Sequence, residues 1–263
     1  MFKSLFKYVL IAALLGGCDD LPRDNLLDPR NESSYGSSAI LLEAFVNTYY
    51  TELEYNFWTL QALRQVESFY GQRVIIAEYH RDIKVGDSTY HDPYSYATYD
   101  NRHKMYADAD GTFDRAIPDI FINGDQGRVL GASSVASVHD RLQQTINRLL
   151  DEKSYYALEA DLTKSNNTLT IDYRVARLGN TAAGELRLNV IFVKDYGSDY
   201  SRRVVTRSNY PFAHEIPGIK AGEIFKGQVV ESLSVTDKPD AVILSLTEKN
   251  SISVLKSIEK VIP

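Results

Sequence analysis

The stretch Phe45–Leu53 reads FVNTYYTEL and joins two kinds of pattern. Before it, Ala39-Ile40-Leu41-Leu42-Glu43-Ala44-Phe45 is a short apolar run of strand length. After it, Glu54–Tyr70 sets Phe57, Leu60, Leu63 and Val66 on or near one face of a helix. Gly71 stands just past that helix, where a C-terminus is commonly closed. Arg73–Tyr79 is a second strand, apolar and β-branched. The spacing predicts a parallel β-α-β unit with a right-handed crossover.

Working outward, residues 80–116 interrupt the pattern with a segment rich in Tyr, Asp and Gly that lacks a long apolar period. IPDIFING (Ile117–Gly124) then predicts a strand, Asn123-Gly124-Asp125-Gln126 a tight turn, and Gly127–Ser133 the partner strand. A helix over Ser134–Leu150 follows, striped by Val135, Val138, Leu142, Ile146 and Leu149. From Ser154 the period becomes two: Tyr156, Leu158, Ala160 and Leu162; Leu169, Ile171, Tyr173 and Val175; Leu186, Leu188, Val190 and Phe192. The last hairpin turns at Glu248-Lys249-Asn250. The expected architecture is an α/β domain over residues 39–153, with an insertion at 80–116. An all-β, immunoglobulin-like sandwich over 154–263 completes it.

The amino end points to a compartment. MFKSLFKYVLIAALLGGC (Met1–Cys18) has a basic start, a short apolar run and small residues before the chain's one cysteine. The run is too short to span a bilayer and reads as a signal peptide over residues 1–17. Leu15-Gly16-Gly17-Cys18 resembles a bacterial lipobox, which implies acylation of Cys18 and membrane attachment through lipid. Residues 18–38 are acidic and polar and read as a flexible tether. Asp19-Asp20 is compatible with inner-membrane retention or with surface export. With Cys18 committed to lipid no internal disulfide can form, so the remaining roughly 230 residues must build their own core. Composition is that of a globular protein, 44% hydrophobic and 24% charged, and a net charge of −6 argues against nucleic acid as a partner.

Together these motifs resemble the thioredoxin-like outer-membrane lipoproteins of the twenty-eight-kilodalton outer-membrane-protein-related family. Members carry a lipobox and an Asp-Pro-containing tether, here Asp28-Pro29. A first strand ends in Glu-x-Phe/Tyr before a Cys-x-x-Cys pair, here Glu43 and Phe45. An Ile/Val-Pro-x-x-Phe-Ile-Asn-Gly segment follows, here Ile117-Pro118 and Phe121-Ile122-Asn123-Gly124. The element order β-α-β-β-β-α, interrupted once, is the thioredoxin order. The resemblance implies an α/β thioredoxin-like domain and an outer-membrane location. It also places the family's two cysteines at Tyr50 and Leu53, where there is no thiol. Dithiol exchange needs a thiolate, so redox catalysis is excluded by chemistry.

Two roles remain open for Pro118, which stands where that fold keeps a cis-proline. It aims the next strand, or it preserves a peptide-docking edge. His80, Asp82, Asp87, His91, Asp92 and His103 gather in the insertion without a recognised metal-ligand spacing. Asp108, Asp110 and Asp114 alternate as in calcium loops, but the glycine and closing glutamate are misplaced, so an acidic turn is expected. Tyr94 and Tyr96 stand in a tyrosine-dense insertion, and Tyr49 and Tyr50 flank the lost redox position. Such rings suit an interface or pack onto their own domain. The expected function is a non-catalytic, lipid-anchored envelope protein with no cofactor and no metal. It would bind a protein partner through Tyr49, Tyr50, Leu53, Ile117, Pro118, Tyr94 and Tyr96. The alternative is a surface lipoprotein that captures peptide or carbohydrate through the same tyrosines.

Overall fold

The computed structural model describes residues 25–28, 31, 38–50, 54–112, 115–180, 182–198, 200–209, 213–233 and 238–263. Cys18 and Leu53 lie outside the described residues, as do the signal peptide and most of the tether. Among the described residues no helix is long and apolar enough to cross a membrane. Part of the expected tether is folded: Asn25–Asp28 forms a turn whose Leu26 is fully buried with Ala157, Ala176 and Leu178.

The first half contributes strand β1 (Ile40–Val46), helix α1 (Tyr55–Tyr70) and strand β2 (Val74–His80). A short hairpin of β3 (Ile83–Val85) and β4 (Ser88–Tyr90) precedes helix α2 (Ala97–Ala109). Strands β5 (Asp119–Ile122) and β6 (Gly127–Leu130) and helix α3 (Val135–Leu150) complete it. The second half is all strand: β7 (Tyr156–Ser165), β8 (Thr168–Arg177), β9 (Leu186–Lys194) and β10 (Val204–Ser208). It ends with β11 (His214–Ile216), β12 (Ile224–Ser232), β13 (Ala241–Glu248) and β14 (Val254–Val261).

The expected α/β thioredoxin-like domain followed by an independent immunoglobulin-like sandwich is not what forms. One mixed sheet of nine strands runs through both halves in the order β14-β13-β9-β10-β2-β1-β5-β6, with β11 added beside β9. The halves join where Val204 of β10 pairs in parallel with Glu78 of β2 and the Glu78 N–H donates to the Arg203 carbonyl at 2.8 Å. A helix-flanked sheet that closed before residue 153 would have left the β2 edge without this partner. β12, β8 and β7 form a separate three-stranded sheet, and β3 and β4 a two-stranded one.

Period-two alternation explains the layers. On β1, Ile40, Leu42, Ala44 and Val46 face a core shared with α1 and α3, whereas Leu41, Glu43 and Phe45 face the opposite side. On β9, Leu188, Val190 and Phe192 pack toward the three-stranded sheet, and Ile191 and Val193 toward the side of Phe45. One face of the long sheet therefore carries α1 and α3 at one end and the small sheet at the other. Helix α2 covers the opposite face at the seam between the halves. Its Tyr99 and Tyr106 pack with Phe45, Tyr79, Val205 and Ile243.

Helix α2 corrects the reading of 80–116 as an irregular insertion. Its buried residues Tyr99, Arg102, His103, Tyr106 and Ala107 keep helical spacing, written in polar and aromatic types. Elsewhere local signals match the structure. Ser134 caps α3 by accepting from the Ser137 N–H at 3.1 Å. Asn123 and Gly124 turn the β5–β6 hairpin with φ of 45° and 77°. A Cβ on Gly124 would overlap the Ile252 carbonyl, because this turn docks on the β13–β14 connection, where the Val254 N–H donates to the Asn123 carbonyl at 3.0 Å.

Candidate functional site

Asn47 follows β1 and is fully buried. Its Oδ1 accepts from the N–H groups of Tyr49 (3.0 Å) and Tyr50 (2.8 Å), while its Nδ2 donates to the carbonyls of Arg81 (2.7 Å) and Tyr90 (3.0 Å). Its own N–H donates to Asn56 Oδ1 at 3.1 Å. One amide, with acceptor and donors on the same group, thus ties together the ends of β1, β2 and β4 and the start of α1. The clamp sets two tyrosines apart. Tyr50 is buried against Tyr90, ring centroids 4.3 Å apart, while Tyr49 is 63% exposed on the same fixed backbone.

Asp92 makes a second clamp at this end. Its carboxylate accepts from the Thr48 N–H (2.7 Å), the Thr48 hydroxyl (2.9 Å) and the Tyr94 N–H (3.0 Å), and lies 3.1 Å from His80 Nδ1. Burial pushes this carboxyl up, but the hydrogen bond and attraction of His80 and the two backbone donors outweigh it, so it titrates below the usual range. The far nitrogen of His80, Nε2, lies 3.8 Å from Glu78 Oε2. Both atoms are buried and neither has a hydrogen-bond partner; the other Glu78 oxygen pairs with Arg64. Tyr94 stands edge-on over His80 at 5.2 Å and packs on Tyr196 at 4.5 Å.

A third network lies under α2. Glu43 is fully buried and accepts from Arg102 Nε (2.7 Å), the Tyr79 hydroxyl (2.9 Å) and the Tyr106 hydroxyl. Burial pushes both phenols well above their ordinary value, with Arg102 opposing and Glu43 adding to the rise. His103 stacks on Phe45 at 4.2 Å and 7°, contacts Asp119 through Nε2 at 2.8 Å, and takes a guanidinium N–H of Arg81 on Nδ1. A guanidinium only donates, so Nδ1 is the acceptor and Nε2–H donates to Asp119. Burial drives the His103 imidazole below its ordinary value; Arg81 and Arg128 add to this and Asp119 opposes it. The ring is neutral and bridges α2 to β5.

The structure brings together some of the residues chosen from sequence and separates others. Tyr50 and Tyr94 belong to one cluster, joined through Thr48 and Asp92. The pairing of Val46 with His80 and of Phe45 with Asp119 puts Ile117-Pro118, joined by a cis peptide bond, at this same end of the sheet. Pro118 is buried, and Ile117 packs with the core beneath α2. Tyr96 is 39% exposed and turns to Tyr99. Asn47, Thr48, Glu78 and Asn56 escaped the sequence reading. Their signal was a buried-strand pattern broken by polar residues, at Glu43 and Glu78, and by Asn-Thr at the strand end.

Among the described residues there is no group of three or more His, Cys, Asp or Glu that could hold a metal ion. The histidines of the insertion part ways: His80 joins Asp92, His103 joins Asp119, and His91 makes an exposed pair with Asp82 at 2.8 Å. Asp110 pairs with Arg128 at 2.7 Å, and Asp114 lies outside the described residues. A cavity of about 530 Å³ lies away from the loop cluster, between the amino end of β2 and β14. There burial pushes the Lys256 ammonium down and the Glu259 carboxyl up.

No family model and no curated protein matches this chain. Among solved structures it is similar to HBP35 of Porphyromonas gingivalis, with a TM-score of 0.64 at 13% identity over 86% of this chain and 76% of that one. β-Glucosidase 3B from Thermotoga neapolitana in complex with glucose overlaps 42% of this chain and 16% of its own, at 10% identity and a TM-score of 0.29. A calcium-binding mutant of Bacteroides uniformis β-glucuronidase 2 overlaps 39% and 12%, at 13% identity and a TM-score of 0.30. The likeness to HBP35 extends over both halves of the chain, and at this identity it is a likeness of fold.

Proposed function

We propose that this chain is a non-catalytic, lipid-anchored protein of the bacterial envelope, held in the outer membrane through Cys18. It captures a protein partner with the surface at the carboxyl ends of β1 and β2. The observation that carries this reading is Tyr49: a ring 63% exposed on a backbone fixed twice over by Asn47. A large amphipathic ring presented on a held backbone suits an interface anchor, and such anchors contribute on the order of 2 kcal/mol or more each.

The surrounding chemistry supports binding over turnover. Glu43, His103, Asp119, His80 and Asp92 are all within 4% of full burial and are used to hold loops and α2. The sole cysteine belongs to the lipobox. Tyr50 fills the space beside Tyr90, so of the tyrosines chosen from sequence Tyr49 and Tyr96 are the ones placed to meet a partner.

Affinity purification from the native envelope in mild detergent tests the reading, with wild type beside Tyr49→Ala. A stoichiometric protein retained by wild type and weakened at least about 10-fold by Tyr49→Ala is expected. Equal retention by the variant removes this surface from the account. Cys18→Ala should leave the membrane fraction; a variant that stays there with acyl chains attached contradicts the anchor.

A further inference from the structure

The face of β9 and β13 that looks toward α2 changes character along its length. Paired positions Ala241–Val193 and Ile243–Ile191 are apolar and belong to the core under α2. The last pair on that face is Thr247–Arg187, and there a cleft of about 290 Å³ opens between α2 and the two strands. Its lining is of two kinds. Met105 and Tyr106 of α2, with Ile252 and Val254 beyond β13, make an apolar wall. Arg102, Arg187 and Lys249 also line it, and among the described residues no carboxylate does. The three cations are not equally engaged. Arg102 is buried and held by Glu43 at 2.7 Å. Lys249 meets two exposed acids, Glu185 at 3.0 Å and Glu215 at 3.5 Å. Arg187 has only Glu215, its neighbour on β11, at 3.9 Å, and its guanidinium makes no hydrogen bond among the described residues. Thr247 stands directly across from it, and the Thr247 hydroxyl is likewise without a partner among the described residues but is not sealed from the cleft.

From this arrangement we infer that the cleft binds a small organic acid, its carboxylate on the fork of Arg187 and its apolar body against Met105, Tyr106 and Ile252. A guanidinium offers parallel N–H donors that match the two oxygens of a carboxylate, and such bidentate pairs are the strong ones. Glu215 makes no such pair from 3.9 Å; it is 61% exposed and shared with Lys249, the kind of surface contact that is worth little and yields to a better acceptor. Directly opposed side chains of paired strands start about 4.5–5.5 Å apart, so a carboxylate on Arg187 is also within reach of the Thr247 hydroxyl, which donates to it. The wall contributed by α2 and the β13–β14 connection asks for hydrocarbon, because a second charge set against it would be desolvated without a partner. The volume sits at the lower edge of the range for ligand pockets, roughly 300–1,000 Å³, which limits the occupant to about a dozen heavy atoms. The site is independent of the partner surface proposed above: it is built from β9, β13 and α2 and uses neither Tyr49 nor Asn47.

The test is titration of the full chain in detergent with benzoate and with its neutral isostere benzamide, read by saturation-transfer NMR and by calorimetry against protein-free micelles. A ligand of this size is expected to reach a dissociation constant on the order of 1 mM. Saturable benzoate binding at that level, with benzamide at least about 10-fold weaker, supports the inference. Arg187→Met keeps the apolar stem, removes the fork and should weaken benzoate by at least about 10-fold. Arg187→Lys keeps the charge without the fork, should weaken benzoate by at least about 3-fold, and is the second variant should Arg187→Met fail to fold. No saturable benzoate binding by wild type, benzamide bound as well as benzoate, or benzoate affinity unchanged in whichever variant folds overturns it.

Discussion

Replacing Glu43 by Leu removes the acceptor on which α2 is hung. The carboxylate is fully buried and takes hydrogen bonds from Arg102, Tyr79 and Tyr106. Arg102 is 3% exposed, so without Glu43 its guanidinium stays buried and has lost the carboxylate it pairs with at 2.7 Å. Removing one partner of a buried pair costs about 3–5 kcal/mol, and the two phenols lose an acceptor as well. For a chain of this length each kcal/mol moves the melting temperature by about 2–4 °C, so Glu43→Leu should lower it by roughly 6–20 °C. Arg102→Met should cost about the same, since it leaves the carboxylate buried without its cation. The double variant Glu43→Leu/Arg102→Met leaves neither charge behind, and its cost should fall short of the sum of the singles by at least about 2 kcal/mol. Urea unfolding followed by the fluorescence of Trp58, the chain's one tryptophan, measures all four corners of the cycle. Single variants that cost under about 1 kcal/mol, or a double variant whose cost is additive, refute the claim that this pair holds α2 on β1 and β2.

His103 titrates below its ordinary value in the folded chain, so the folded state resists its protonation. Its stability contribution is complete above the unfolded pKa of about 6.5 and declines as pH falls below that toward the folded value. Denaturation curves at about pH 7.5 and 5.5 should show this loss in wild type and a smaller one in His103→Gln; equal losses contradict the neutral bridge. Gly124→Ala should destabilise by more than about 1 kcal/mol, because φ of 77° and the Ile252 carbonyl both oppose a side chain, and a neutral result in thermal melts counts against the docked turn.

Much of the fold was legible in residues that follow one period. β1, α1, β2, α3 and the long second-half strands stand where their apolar spacing puts them, because each buries a face that period describes. Helix α2 was not legible, since its inward face is Tyr99, Arg102, His103 and Tyr106, and a search for apolar stripes passes over it. The long sheet was not legible either. It depends on the meeting of β10 with β2 at Val204 and Glu78, and short strands carry no mark of their partner across more than a hundred residues. At the site, the tyrosine density near the ends of β1 and β2 could be read, but not which rings face inward. Tyr50 and Tyr49 are adjacent and alike, and the Asn47 amide, anchored to β4 and the end of β2, buries one and exposes the other.

Partner capture at the exposed ring is most directly tested by placing a photo-crosslinking amino acid at position 49 of the full-length chain in its native cells. A matched control carries it at Ser165, an exposed residue at the end of β7, beside the β7–β8 turn. The account predicts one discrete adduct with a single envelope protein from position 49 and none from position 165. No adduct from position 49 in membranes that contain the full-length chain, or the same adducts from both positions, contradicts it.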